Sequence, residues 1–246
     1  MADKSESNSV LKLGPNLNGQ ILYFFGARHT NDPTDSQFDL LKKFWKDFLN
    51  NSNGERIMFI EGNTLEIPKD FEEVVRQYGE SGAAKWLAIK ENVDVVRTEP
   101  EDAQQRKFLC EVLDPEVVAY TVIAQNLSSW FRHSGKTSFD DSLDRVIIRE
   151  AKFVDIYKFN LNKDWFLKQH NKLFNNQVLE DKSFLDKITD PRTKYSIVNS
   201  IVSERSRLRN EYILSIIKEH WGKGKNIFII YGRGHLDSLR GQLQLL

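Results

Sequence analysis

The sequence predicts an α/β protein: a small, mainly parallel sheet with flanking helices and a large helical insertion. Three observations predict it. Four short apolar runs, at residues 21–25, 57–60, 93–96 and 227–231, are continuous rather than alternating, as in strands covered on both faces. The stretches between the first three read as helices, so parallel βαβ connections are the economical inference. Three of the strands fall in the first hundred residues and the fourth near the C-terminus, with a long helical block between them. A helical cap over one end of the sheet fits that order.

The elements follow in turn. Residues 1–18 are polar and small and read as a disordered tail, which leaves 19–246 as a single α/β domain with its cap at about 115–190. Residues 36–49 place Phe38, Leu41, Trp45, Phe48 and Leu49 on one helical face, behind Asp35 as a cap. Asn50 to Gly54 stop that helix before the second strand. Residues 69–78 and 81–92 read as two short helices separated by Gly79. A helix over 101–112 opens on Glu101 and Asp102, the charges a helix N-terminus favours. Asp114-Pro115 starts another, running to His133. Residues 139–188 hold two or three more. Asp190-Pro191 opens a last long helix that Gly222 and Gly224 end.

Composition narrows the function classes. The 246 residues carry 35 basic and 35 acidic side chains, so no global field draws the chain to nucleic acid or to an anionic membrane. The single cysteine, Cys110, precludes an internal disulfide or a multi-cysteine zinc site. The opening MADKSESNSV has no apolar stretch of a secretory signal, and no apolar run is long enough to span a bilayer. The expected compartment is the cytoplasm.

Chemistry concentrates where the strands end. The first is followed by Gly26-Ala27-Arg28-His29, the second by Glu61-Gly62-Asn63, the third by Arg97-Thr98-Glu99-Pro100 and the last by Gly232-Arg233-Gly234-His235. Ligands of open parallel sheets bind beyond the carboxyl ends of the strands. Two exits share a G-x-x-H pattern, where glycine allows a tight turn that returns the histidine over the sheet edge. His29, Glu61, Glu99 and His235 are therefore candidate catalytic residues, and Arg28, Arg97 and Arg233 candidate binders of an anionic substrate group. Asp32 and Asp237 follow the histidines closely, though helix capping is the plainer reading of both. His133, His170 and His220 read as structural. On the last helix, Arg205 and Arg209 fall on the apolar stripe. Arg205 reads as a packed stem with its head in solvent, whereas Arg209 reads as a partner of Glu61 or Glu99.

These motifs resemble the superfamily of TraB/PrgY, Tiki, ChaN-like and erythromycin-esterase-like proteins. The two G-x-x-H motifs, Ile60-Glu61-Gly62, Gly79-Glu80 leading to Arg97-Thr98-Glu99-Pro100, and Arg209-Asn210 carry the resemblance, which covers residues 20–100 and 200–236. The first G-x-x-H has Ala27 and Arg28 where erythromycin esterases place an extra glutamate, which argues against macrolide hydrolysis. The resemblance implies an erythromycin-esterase- and ChaN-like fold, with the paired histidines and Glu61 facing one pocket.

The expected function is hydrolysis of an ester or amide in a small-molecule or peptide substrate. One histidine acts as general base, Glu61 orients it, Arg209 stabilises the oxyanion and the second histidine protonates the leaving group. No G-x-S-x-G elbow is present. A variant of the scheme binds a divalent metal (Zn, Mn or Co) through His29, His235 and Glu61 or Glu99. Two non-enzymatic alternatives stand beside it. One is a binder of haem or another small molecule, with Trp130, Phe131, Trp165 and Phe166 lining its pocket. The other is an interaction protein with a degenerate site, for which a homodimer is the test case.

Overall fold

The computed structural model describes residues 9–62, 67–131, 137–175 and 177–246. Five strands form one mixed sheet: β1 (Val10–Leu13), β2 (Leu22–Ala27), β3 (Arg56–Ile60), β4 (Asp94–Arg97) and β5 (Asn226–Gly232), in the order β1-β2-β5-β3-β4. The last four strands run parallel and β1 is antiparallel to β2, so the sheet is α/β and mostly parallel, as expected. Ten helices are present among the described residues: α1 (Gln37–Asn51), α2 (Phe71–Lys90), α3 (Asp102–Val112), α4 (Pro115–Trp130), α5 (Phe139–Ala151), α6 (Val154–Tyr157), α7 (Lys163–Phe174), α8 (Lys182–Thr189), α9 (Ile197–Gly222) and α10 (Arg233–Leu243). No helix is long and apolar enough to cross a membrane among the described residues.

The chain divides into two compact units, Met1–Glu99 with Asn210–Leu246, and Pro100–Arg209. The first contains the whole sheet. Its strands alternate side chains between two apolar layers. Tyr23, Phe25, Met58, Ile60, Phe228 and Ile230 meet α1 and α2 on one side. Leu22, Phe24, Phe59, Ile227, Ile229 and Tyr231 meet α10 and the end of α9 on the other. Burial on both faces is why these strands read as unbroken apolar runs, and each fully buried side chain contributes about 1.5–3 kcal/mol. The regular elements of the second unit are helices among the described residues, with α4 central and buried through Val118, Ala119, Tyr120, Ile123, Ala124 and Leu127.

Several expectations change. Residues 10–13, expected in a disordered tail, form β1, with Val10 and Leu11 buried against the edge of β2. A polar flank hid an apolar Val-Leu-Lys-Leu tetrad that covers this sheet edge. Lys12 completes the contact by pairing with Asp47 and lying 4.8 Å over the Tyr23 ring. The helical unit spans 100–209 rather than 115–190, and residues 139–188 form four helices rather than two or three. Asp190-Pro191 opens no helix. Asp190 instead accepts from the Arg192 backbone N–H at 2.9 Å and from its guanidinium, in a turn held by the buried Asn199 amide, which donates to Lys187 O and Asp190 O. The long helix starts only at Ile197. The helix predicted to reach His133 is described as far as Trp130; His133 and Asn63 lie outside the described residues.

Candidate functional site

The strand order sets the site. β5 lies between β2 and β3, so its exit at Gly232 is flanked by the exits carrying His29 and Glu61. Gly232 N–H donates to Glu61 Oε2 at 3.0 Å. A methyl group on Gly232 would stand 2.7 Å from His29 Nε2 and 3.6 Å from Glu61 Oε2. The other Glu61 oxygen faces His235 Nε2 at 3.9 Å. Residues from three strand exits thus converge on Gly232, the position where only a glycine leaves room for them.

Each histidine is held from behind through its Nδ1. His29 Nδ1 lies 2.5 Å from Glu80 Oε1. A carboxylate only accepts, so Nδ1 carries the proton of this bond and Nε2 is the outer nitrogen. The His29 ring is 47% exposed while the Glu80 side chain is 10% exposed, so a nearly buried carboxylate supports a reachable imidazole. His235 Nδ1 bonds instead to Asn210 Oδ1 at 2.6 Å, with the ring edge-on to Tyr231 at 5.3 Å. Tyr231 is itself tied to Thr98 by a buried hydroxyl pair at 2.9 Å. One imidazole therefore has an anionic support and the other a neutral one.

The supports come from local backbone devices. Gly79 breaks α2 with φ +58 and ψ −143. The break releases the carbonyls of Val75 and Arg76, and the Asn31 amide caps both at 3.2 Å. A side chain at Gly79 would meet Thr30 O at 3.0 Å, so the kink allows the loop after β2 to approach the helix. Glu80 is the first residue beyond the kink, under His29. On the other side, the buried Gln37 amide clamps the Arg28 backbone, accepting its N–H at 2.9 Å and donating to its carbonyl at 2.8 Å. The backbone on both sides of the His29 ring is thereby held.

The remaining candidates separate. Glu99 Oε2 accepts the Gly62 N–H at 3.0 Å and so secures the turn after Glu61, where Gly62 has φ +75. Arg28 ion-pairs with Asp35 at 2.6 Å, and Arg233 faces Asp237 at 3.9 Å, so neither points into the histidine group. Asp237 is thereby an arginine partner, and Asp32 binds the Thr34 backbone and hydroxyl as a turn cap; neither supports a histidine. Arg97 ends β4 opposite Ile60. Arg209 is half-buried as the last residue of the helical unit, and its charge lowers the pKa of Arg205. The Arg205 head does not simply reach solvent, because it bonds to Gln125 and Gln105.

His170 is structural, between Tyr120 OH at 2.7 Å and Gln177 O at 2.7 Å, and His220 lies edge-on to Phe59 at 5.2 Å. The aromatic block serves packing: Phe166 stacks on Tyr120, Trp130 meets Phe131 and Phe139, and Trp165 meets Phe159. Cys110 is half-buried and burial pushes its thiol up to about 11, which does not suit a nucleophile.

Among the described residues no three His, Cys, Asp or Glu side chains are grouped to hold a metal ion. Glu61 turns one oxygen to a backbone N–H, and its other oxygen stands off from His235.

Glu80, Asn210, Gln37 and Asn31 were not assigned roles from sequence. Two of them had a visible signal: Glu80 follows a glycine inside a helical pattern, and Asn210 follows Arg209 on the apolar stripe. No family model matches the chain, and no curated protein or solved structure matches it.

Proposed function

We propose that the chain hydrolyses an ester or amide bond in the manner of the TraB/PrgY, Tiki and erythromycin-esterase-like proteins its motifs resemble, on a fold of the erythromycin-esterase and ChaN-like kind. The observation that supports this reading best is the Glu80–His29 pair, whose outer nitrogen lies beside Gly232 and Glu61. In this scheme His29 Nε2 takes a proton from water as the water oxygen attacks the carbonyl carbon. Glu80, not Glu61 as expected from sequence, orients the ring and stabilises the imidazolium. Glu61 lies between the two histidines and holds a proton on His235 Nε2. His235 passes that proton to the leaving oxygen or nitrogen as the scissile bond breaks. The His29 proton then returns to His235 through Glu61 and solvent, which closes the cycle. Asn210 keeps the His235 ring turned so that Nε2, not Nδ1, faces Glu61.

The test is hydrolysis of p-nitrophenyl esters of increasing acyl length, and of the matching anilides, by wild type, His29→Ala, Glu80→Gln and His235→Ala. Wild type should turn over at least one series, and the folded His29→Ala variant should lose about 10²–10⁴-fold, the usual contribution of a positioned base. A folded His29→Ala variant with wild-type turnover would overturn the scheme. So would wild type inert on both series, with and without added divalent metal.

A further inference from the structure

The helical unit holds a guanidinium that no carboxylate pairs with among the described residues. Arg205 lies on α9, close after the buried Ile201 and Val202, and is half-buried. Its Nη1 donates to Gln125 Oε1 at 2.7 Å and its Nε to Gln105 Oε1 at 3.4 Å. Both acceptors are neutral amides. Gln105 is itself buried and donates from Nε2 to Pro100 O at 2.9 Å, so its oxygen is the end turned to Arg205.

Arg106, in the same unit, shows what full neutralisation looks like. Its Nε and Nη2 grip both oxygens of the fully buried Glu150, and Nη1 donates to Asp102 O at 2.8 Å, with the Asp102 carboxylate at 3.2 Å. Glu150 also accepts the Tyr157 hydroxyl. Asp102 and Glu150, the acids whose charge acts on Arg205, are therefore engaged with Arg106. Burial, then the charges of Arg209 and Arg106, pull the Arg205 pKa down to about 10 and outweigh the attraction of Asp102 and Glu150. Among the described residues this half-buried guanidinium is held by amides alone, where such groups favour an anion.

We propose that Arg205 anchors an oxyanion-binding site in the helical unit, taking a carboxylate or phosphate group, with Gln105 and Gln125 holding the guanidinium in place. Nε and one Nη1 hydrogen are occupied, which leaves the end-on edge of the fork, Nη2 with the second Nη1 hydrogen. That edge receives two oxygens side by side. Arg209, one turn further along the helix, adds positive potential there. The site goes beyond the proposed hydrolysis and does not rest on it.

The test measures thermal unfolding of the full chain in a chloride buffer of fixed ionic strength, with acetate or inorganic phosphate replacing chloride at millimolar concentration. That is below the range where phosphate acts as an excluded solute. At a hundredfold excess over its Kd, a bound anion should raise Tm by on the order of 5 °C, and saturably. Acetate alone marks a carboxylate site, phosphate alone a phosphate site, and both a general oxyanion site. Arg205→Met, which keeps the apolar stem, should abolish the rise while leaving Tm in chloride at or above the wild-type value. The proposal fails if wild type shows no saturable rise with either anion, or if Arg205→Met retains it. It also fails if Arg205→Met melts several degrees lower in chloride, since Arg205 would then be a structural clasp for its two glutamines. Should Arg205→Met not fold, wild type still decides: a protected arginine Nε–H resonance must shift saturably with one of the anions, and an unmoved spectrum overturns the site.

Discussion

Gly232→Ala tests the geometry of the histidine group with a single methyl. The backbone at Gly232, φ −52 and ψ 142, is open to alanine, so the substitution introduces no dihedral strain. It should even gain about 0.4–1 kcal/mol from a stiffer unfolded chain. The cost falls on His29. The new Cβ stands 2.7 Å from Nε2 and 3.1 Å from Cε1, against an ordinary contact of 3.4 Å or more. The ring must retreat by about 0.7 Å, and it can, because it is half exposed. The retreat disturbs the 2.5 Å bond to Glu80 and shifts Nε2 from its place beside Gly232. Misplacement on the 1 Å scale costs about 10²-fold in a rate that depends on alignment. Expected, then, are urea stability within about 1 kcal/mol of wild type, a changed His29 imidazole signal by NMR, and roughly 10²-fold less ester turnover. An unaltered His29 signal in folded Gly232→Ala would refute the placement of that ring. Wild-type turnover with a displaced ring would instead refute its role as base.

Two further predictions concern stability. Glu150→Ala strands the buried Arg106 guanidinium and removes the Tyr157 acceptor, and should cost about 3–5 kcal/mol by urea unfolding; a loss below about 1 kcal/mol would show that the pair contributes little. Burial, with Lys225 next, pushes the His220 pKa below its ordinary value, so the fold favours the neutral ring. The unfolded chain then binds more protons as pH falls through the normal histidine range, and stability present at pH 7 should decline below about 6.5. Replacing His220 with leucine should flatten that part of the urea midpoint–pH curve, and an unchanged slope would place the titration elsewhere.

The arrangement also has a consequence for proton traffic. Glu80 and Asn210 hold their histidines through the same ring atom, Nδ1, yet differ in charge. The two rings are thereby held through the same atom by groups of unlike charge. In the proposed hydrolysis that difference separates a general base from a general acid. It arises from which side chain supports each ring, not from the histidine motifs, which look alike.

Much of the fold could be read directly from residue order. The four parallel strands announced themselves because burial on both faces demands unbroken apolar runs, as at 227–231. The helix kink was marked by Gly79, and the strand exits by their glycines and charges. The antiparallel β1 escaped, since four residues in a polar flank carry too little pattern to reveal the sheet edge they cover. The site divides in the same way. His29, Glu61 and His235 are legible because each lies within three residues of a strand's end. Their supports were not, because a hydrogen bond between His29 and Glu80 joins residues 51 positions apart, through a kink whose direction no periodicity encodes. The lateral order of the strands is likewise a property of packing. Placing β5 between β2 and β3 brings His29 and Glu61 to either side of Gly232, and that order emerges only when both faces of the sheet are covered at once.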